Sequence, residues 1–385
     1  MKTTVYKKHN SFASLDVKIK NEEKSVIDKI IRLKKNGIGS ENFSEYFNKI
    51  LDDVIQDLTN KSNKINIETK FKLEKNVLAE IAIMEDEDWL KYLIHRYRYE
   101  IYPKLKKIDE FPPCLQIEPS SICNYRCIFC FETDNTFTSK KNGHMGSMSL
   151  DLFKKIIDDV EGKIEFVTLA SRGEPLVSKN INQMLEYTKG KFLNLKLNTN
   201  ASMLDEKKCH AILSGGVKTI IFSADAADEK LYSKLRVNGS LKKVLENIER
   251  FQKIRDNQYP NLKIISRVSG VRINKEQEFA KMKSFWGGLV DQVAFVDYNP
   301  WENTYLKKTN SIETPCSDLW RRMFIWWDGK ANPCDTDYKS TLSTGNFSED
   351  TISNLWSSYN YNLLRNKHLN KLRSKVKPCQ SCTVI

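Results

Sequence analysis

The sequence predicts an α/β fold built on an incomplete parallel barrel, and three observations predict it. Between residues 111 and 298, short apolar runs of strand character alternate with amphipathic helical stretches, the pattern of βα units whose strands lie parallel and buried. The first hundred or so residues carry only helical spacing, and beyond about 310 the periodicity gives way to aromatic, glycine and cysteine punctuation. The fold class expected is therefore a partial (β/α)6 TIM-like parallel barrel, with a helical extension before it and a small α+β domain after it.

The elements follow in order. "EKSVIDKIIRLKKN", "ENFSEYFNKILDDVIQDL" and "VLAEIAIMEDEDWLKYLIHRYRYEIYPKL" place apolar residues at three and four spacings, which predicts helices over residues 1–110. His95, Tyr97 and Tyr99 read there as helix-face residues rather than ligands, and the segment as a cap or docking element. Six strands are expected: 114–118, 165–170, 193–199, 217–223, 262–268 and 291–297. Between them, "SLDLFKKIIDDV" offers Ser149 as a cap and Leu152, Phe153, Ile156, Ile157 and Val160 as a buried stripe. "LKKVLENIERFQKI" does the same with Leu241, Val244, Leu245, Ile248 and Phe251. Six strands with five intervening helices suit an open barrel of residues 111–310 better than a closed eight-stranded one, and active-site residues then belong at the carboxyl ends of the strands.

At 385 residues and 40% hydrophobic composition the chain has material for a substantial core. No apolar run is long enough to cross a bilayer and no leader pattern opens the chain, so a cytoplasmic location without membrane contact is expected. The formal charge is +13, which would suit RNA or another acidic partner. However, the lysines are scattered and no arginine-aromatic stripe accompanies them, so solvated surface is the simpler reading and nucleic acid is not the expected partner.

Of nine cysteines, seven fall in two clusters. In a reducing compartment that favours metal ligation over disulfides. Cys123, Cys127 and Cys130 form a C-x3-C-x2-C loop directly after the first strand. Three thiolates on one loop can hold three corners of a cubane iron-sulfur cluster and leave the fourth iron open to a small molecule. A zinc site with a distant fourth ligand, a cluster with a remote cysteine, and three unrelated core thiols are the competing readings. The second set is Cys316, Cys334, Cys379 and Cys382, ending in a C-x2-C pair; four thiolates can close a 4Fe-4S or a zinc site. Cys114 and Cys209 belong to neither set and read as a strand residue and a buried helix thiol. The basic run from Arg365 to Lys377 reads as a solvated helix face.

At this point the chain resembles the radical S-adenosylmethionine (SAM) superfamily, on the cysteine loop with Phe129 immediately before its third cysteine. "SRGEP" (171–175), after the second strand, is similar to that superfamily's Gly-Gly-Glu-Pro segment, with Gly173 and Glu174 at the matching positions and Arg172 where a glycine usually stands. An arginine does not take positive φ cheaply, so the local backbone is expected to differ there. "LNTNA" (197–201) is similar to a Thr-Asn-Gly turn and offers Asn198 or Thr199. "FSADAADEKLYSKLRV" resembles a Ser-x-Asp-Gly segment followed by Tyr-x-x-x-Arg. The resemblance implies that the open iron is chelated by S-adenosyl-L-methionine, whose amino group Glu174 holds, whose adenine lies near Phe129, and whose carboxylate Ser223 and Arg236 grip. Asp225 could equally start a helix.

Residues 311–385 resemble the SPASM extension in its shortened, single-cluster "twitch" form, which implies one auxiliary 4Fe-4S cluster on the four cysteines, with zinc as the competing metal. The activity implied is reductive SAM cleavage with an external flavodoxin- or ferredoxin-type electron donor, then hydrogen abstraction from substrate. A sugar or polyol oxidised or epimerised is the substrate expectation; a peptide-modifying maturase and a non-catalytic iron-sulfur or zinc protein are the alternatives.

Overall fold

A computed structural model describes residues 23–61, 64, 66–299 and 304–385, together with Val5 and Leu15. The chain divides into two compact units, one of Val17–Asp109 and one that contains Glu110–Ile385.

The first unit is helical, with helices at Glu23–Lys35, Glu45–Leu58, Lys75–Ile81 and Trp89–Leu105. The third apolar run is thus two helices rather than one, because the acidic stretch Asp86–Asp88 forms a single 3-10 turn between them. Ser44 caps the second helix by accepting from the Phe47 amide at 3.3 Å, and the buried Asp57 carboxylate takes the Phe71 amide at 2.9 Å and the Lys64 ammonium at 2.7 Å.

The second unit contains eleven described strands: β1 (Cys114–Ile117), β2 (Arg126–Cys127), β3 (Phe166–Leu169), β4 (Asn194–Thr199), β5 (Val217–Ser223), β6 (Arg236–Val237), β7 (Ile265–Arg272), β8 (Gln292–Asp297), β9 (Arg322–Ile325), β10 (Lys330–Asn332) and β11 (Gly345–Asn346). Nine form one sheet in the order β11-β10-β9-β1-β3-β4-β5-β7-β8. The six expected barrel strands, β1, β3, β4, β5, β7 and β8, are all there, side by side and parallel. Only β7 is displaced from its expected position. Residues 260–261 form a turn, with the Leu262 amide bonded back to the Tyr259 carbonyl at 2.9 Å, and the ladder begins at Ile265.

Periodicity worked because each strand faces the core on its apolar positions: Leu115, Ile117, Val167, Leu169, Leu195, Leu197, Ile220 and Phe222 are fully buried. The helix Leu150–Val160 is capped as expected, with Ser149 Oγ accepting from the Leu152 amide at 3.2 Å. Phe153, Ile156, Ile157 and Val160 are buried beneath it.

The sheet does not end at β1. β9 from the C-terminal segment runs parallel to β1 in register from Cys114 to Ile117, and β10 and β11 continue the sheet antiparallel. The backbone groups that a barrel edge would leave unpaired on β1 are thereby satisfied. Trp320, Trp326 and Trp356 are buried in this segment as packing.

Candidate functional site

Because the barrel strands are parallel, the loops after β1, β3, β4 and β5 emerge at the same end of the sheet, and the four sequence motifs sit on these four loops. The cysteine loop is held by its neighbours. Cys127 pairs with Arg236 in the two-residue β2-β6 ladder, and the Ile128 amide donates to the Leu235 carbonyl at 3.0 Å. Asn124 donates to Ser202 Oγ at 2.8 Å and accepts from Asn200 Nδ2 at 3.0 Å, tying the loop to the turn after β4.

Gly173 shows how closely the turn after β3 presses on this loop. A Cβ there would lie 2.5 Å from the Ser120 carbonyl oxygen and 2.6 Å from that of Ile122. The Glu174 amide donates to the Ile122 carbonyl at 3.0 Å. The positive φ of the segment falls on Ser171, at 143°, and not on Arg172; the arginine therefore adopts ordinary backbone geometry, and the local strain expected of it lies one residue earlier.

Glu174 is buried and accepts three hydrogen bonds: from Leu176 N at 3.0 Å, Thr199 Oγ1 at 2.6 Å and Asn200 N at 2.7 Å. Burial pushes its carboxyl up, and these donors oppose the shift. A carboxylate offers about four acceptor positions, so three protein donors leave room for one more. Asn198 Oδ1, next to Thr199 in the chain, and Ser171 Oγ, on the same turn as Glu174, are buried and have no hydrogen-bond partner.

Ser223 ends β5, paired in the ladder with Ser269. Arg236 is buried and engaged within the protein: Nη2 lies 2.6 Å from Asp225 Oδ2 and Nη1 lies 4.0 Å from Cys127 Sγ. Asp225 and Cys127 hold the guanidinium charged against its burial. Asp225 does not start the helix Glu229–Leu235; Asp228 caps it, accepting from Leu231 N at 2.9 Å. Phe129 packs edge-on against Tyr298, with ring centres 6.2 Å apart.

Burial pushes the Cys123 thiol up to about 12 and raises Cys127 and Cys130 as well, and each feels the charge of another cysteine or acid of the group. Such a set keeps its protons until a cationic partner compensates the thiolates. Glu132 lies among them, buried, its carboxyl pushed up to about 8 by burial while Arg126 at 3.2 Å opposes the shift.

The second cysteine set is gathered at the other end of this unit's chain. Burial raises the Cys334 and Cys379 thiols, and Cys334 feels both Cys379 and Cys316, while Cys379 feels Cys382 and Cys316. Arg373, fully buried, donates to the carbonyls of Cys379 at 3.2 Å, Cys382 at 2.7 Å and Thr314 at 3.0 Å. Arg365 is buried too, over the rings of Trp356 and Tyr361 at 4.2 and 4.1 Å, donating to the Leu319 and Trp356 carbonyls. The run from Arg365 to Lys377 is therefore not a solvated face: its two arginines are internal clamps and its lysines remain outside. Arginine's rigid fork suits that task as lysine's ammonium does not, and the identity of these two residues was the available signal.

All nine cysteines are free; Cys114 lies on β1 and Cys209 is buried in the helix Glu206–Ser214. Among the described residues, no three His, Cys, Asp or Glu side chains are close enough to close on one metal ion. Thiols that each take a different corner of a multi-iron cluster do not need that closeness.

Residues 117–283 match the Radical SAM superfamily, and residues 316–383 match SPASM, an iron-sulfur cluster-binding domain. The chain carries a radical SAM domain followed by a SPASM domain. These domains bring a SAM-binding 4Fe-4S cluster, SAM itself and an auxiliary iron-sulfur cluster. The chain is similar to the GTP 3′,8-cyclase of Campylobacter lari, 28% identical over 206 residues, which are 52% of this chain and 60% of that protein. It is also similar to the tungsten-containing aldehyde ferredoxin oxidoreductase cofactor-modifying protein of Pyrococcus furiosus, 30% identical over 29% of this chain and 30% of that one. The mycofactocin maturase MftC of Mycolicibacterium smegmatis is 21% identical over 49% of this chain and 48% of its own. The chain thus spans between 30% and 60% of the length of these relatives. In fold it resembles Streptococcus suis SuiB bound to precursor peptide SuiA, with TM-score 0.52 and 16% identity, over 88% of this chain and 82% of SuiB. It also resembles anSMEcpe with bound AdoMet, with TM-score 0.52 and 16% identity, over 70% and 88% of the two chains.

The residues present fit the groups these domains bring. Three thiols on one loop whose ionisation burial opposes, a buried carboxylate with acceptor capacity to spare, and unpartnered oxygens on Asn198 and Ser171 suit a cationic cluster and an ammonium-bearing ligand. Among the described residues no helix is long and apolar enough to cross a membrane.

Proposed function

We propose that the protein is a radical SAM enzyme of oxidoreductase type, in which Cys123, Cys127 and Cys130 hold the SAM-binding cluster and Cys316, Cys334, Cys379 and Cys382 hold the auxiliary one. Bound cluster and SAM supply one-electron cleavage chemistry that delivers a hydrogen-abstracting carbon radical to the substrate, with an external ferredoxin- or flavodoxin-type reductant as electron source. Around it, Glu174 keeps its last acceptor position for the ammonium of SAM and is fixed by Leu176, Thr199 and Asn200. Asn198 offers an unpaired oxygen for a ligand hydroxyl or amine, and Gly173 lets the turn lie against the cysteine loop. Phe129 gives an apolar face beside the third thiol. Arg236, held by Asp225, is placed less to grip a carboxylate alone than to stabilise charge at Cys127; Ser223 remains the nearer candidate for the SAM carboxylate.

The observation that carries this reading is the convergence of the three-thiol loop and the Glu174 turn at the carboxyl end of the barrel. For the substrate we favour a peptide. The SPASM domain and relatives named as a maturase or seen with a precursor peptide support it. Oxidation or epimerisation of a sugar or polyol is the second reading, supported by the auxiliary site's having four cysteines and no more.

The test is anaerobic reconstitution followed by dithionite and SAM. Formation of 5′-deoxyadenosine in the wild type, and its loss in Cys127→Ala, is the expected result; no 5′-deoxyadenosine from fully reconstituted protein rejects an enzyme in favour of a cluster carrier. Deuterium transfer into 5′-deoxyadenosine from labelled candidate peptides or polyols then separates the two substrate classes.

A further inference from the structure

Arg172 occupies a position where the resemblance leads one to expect glycine, and its side chain is held within the protein. It is buried and forked onto Glu118 at the end of β1, with Nε to Oε1 at 2.8 Å and Nη2 to Oε2 at 2.5 Å, while its own amide adds a third bond to Oε1 at 3.1 Å. The remaining arm, Nη1, donates to the Tyr338 carbonyl at 2.9 Å. The guanidinium lies over the Trp326 ring at 4.2 Å, and Glu118 Oε2 also accepts the Trp327 amide at 3.2 Å.

Three of these partners, Trp326, Trp327 and Tyr338, belong to the segment that carries Cys334. Asn332, fully buried, donates to the carbonyls of Cys334 at 2.7 Å and Asp337 at 3.2 Å. The turn from the cysteine to Tyr338 is therefore closed on itself, and Tyr338 stacks on Phe131, next to Cys130, with ring centres 4.9 Å apart. At the other end of the ion pair, Arg172 is the residue immediately before Gly173 and Glu174. A fully buried, forked charge pair resists partial displacement, because separating its members leaves charge uncompensated in an apolar setting. Packing alone would have been served by an apolar side chain.

We propose that the Arg172–Glu118 pair is a brace through which the C-terminal cysteine segment sets the conformation of the 173–175 turn. Arg172 is then a positioning residue for the SAM site, a role that rests on the reading of Glu174 as the residue that meets SAM. Arg172→Lys keeps the charge but cannot reproduce the fork together with the bond to Tyr338.

Two measurements on the reconstituted protein test it. In hydrogen–deuterium exchange of the 171–177 peptide, Arg172→Lys and Cys334→Ala should each speed exchange about tenfold, and the double variant no more than either. No change in Cys334→Ala, or effects that simply add, overturns the brace, and this arm stands even where Arg172→Lys does not fold. In SAM binding, read from the SAM-dependent change in the cluster's EPR spectrum, Arg172→Lys should weaken affinity about tenfold with iron content at the three-cysteine loop retained. Weakened binding in Glu174→Gln but not in Arg172→Lys overturns the brace. Faster exchange in Arg172→Lys with unchanged binding in Glu174→Gln supports the brace and rejects the role given to Glu174.

Discussion

Glu174 and its neighbour Gly173 carry the most at the scale of single residues. The carboxylate is buried and satisfied by two amides and a hydroxyl, so Glu174→Gln removes a charge without opening a cavity and also presents an amide nitrogen to donors. We expect SAM affinity to fall tenfold or more, on the order of 1.5–3 kcal/mol for a hydrogen bond to a charged group, with circular dichroism unchanged; titration calorimetry of the reconstituted protein checks it. Gly173→Ala acts through space instead. Its methyl would meet backbone atoms of Ser120, Ser121 and Ile122 at about 2.5 Å, and backbone cannot swing aside as a side-chain tip can. Overpacking of that kind costs roughly 1–3 kcal/mol, and the strain falls on the cysteine loop, so iron bound at Cys123, Cys127 and Cys130 should drop along with Tm. Arg236 teaches the complementary lesson. Its place in a Tyr-x-x-x-Arg motif was legible, but its partner Asp225 was not, because nothing in the spacing of 225 and 236 says that both side chains point to one spot.

At the scale of elements, helices and strands were read from apolar period, and the barrel strands are where that period placed them, with β7 moved by three residues by the turn at 260–261, while the third N-terminal run is split into two helices by the turn at Asp86–Asp88. What period could not reveal are elements too short to have one. The two-residue ladder of β2 and β6 pins the cysteine loop, yet two residues carry no alternation. The same holds for the clamp made by Arg373, which sits in a basic run whose exposed lysines disguise it. Arg373→Met should remove the charged donor that ties together the carbonyls of Cys379, Cys382 and Thr314, leaving Cys382 with Asn310 Nδ2 at 3.0 Å and Cys379 with the Cys382 amide at 3.3 Å. A hydrogen bond to a charged group is worth about 1.5–3 kcal/mol. The expected outcome is loss of auxiliary-site iron with iron at the three-cysteine loop retained, read from iron content against that of Cys334→Ala. Arg373→Lys should recover only part of it, since an ammonium cannot reach three carbonyls through a fixed fork.

For the molecule as a whole, the C-terminal segment is joined to the barrel more intimately than a division at residue 310 suggests. β9 pairs with the full length of β1, and the amides of Cys114 and Glu118 donate to Arg321 and Ile325 carbonyls at 3.0 and 2.9 Å. A chain truncated after residue 310 should therefore expose the β1 edge and strip Arg172 and Glu118 of their outer partners. We expect it to aggregate more readily than the 385-residue chain; recovery of a monomeric, cooperatively melting 1–310 fragment by size exclusion and calorimetry would contradict this.

By itself the sequence determined the parallel strands, the motifs on the loops that follow them, the two cysteine sets, and the radical SAM and SPASM character they signal. These are local properties: period, spacing and the chemistry of a thiol are properties of neighbours in the chain. The tertiary structure alone decided which distant groups meet. It paired Arg172 with Glu118, Arg236 with Asp225, Asn124 with Asn200 and Ser202, and β1 with β9. Each of these pairings stabilises charge or backbone polarity that burial would otherwise penalise. That need exists only once the chain has folded and water has been removed, and so it leaves no periodic trace in the sequence.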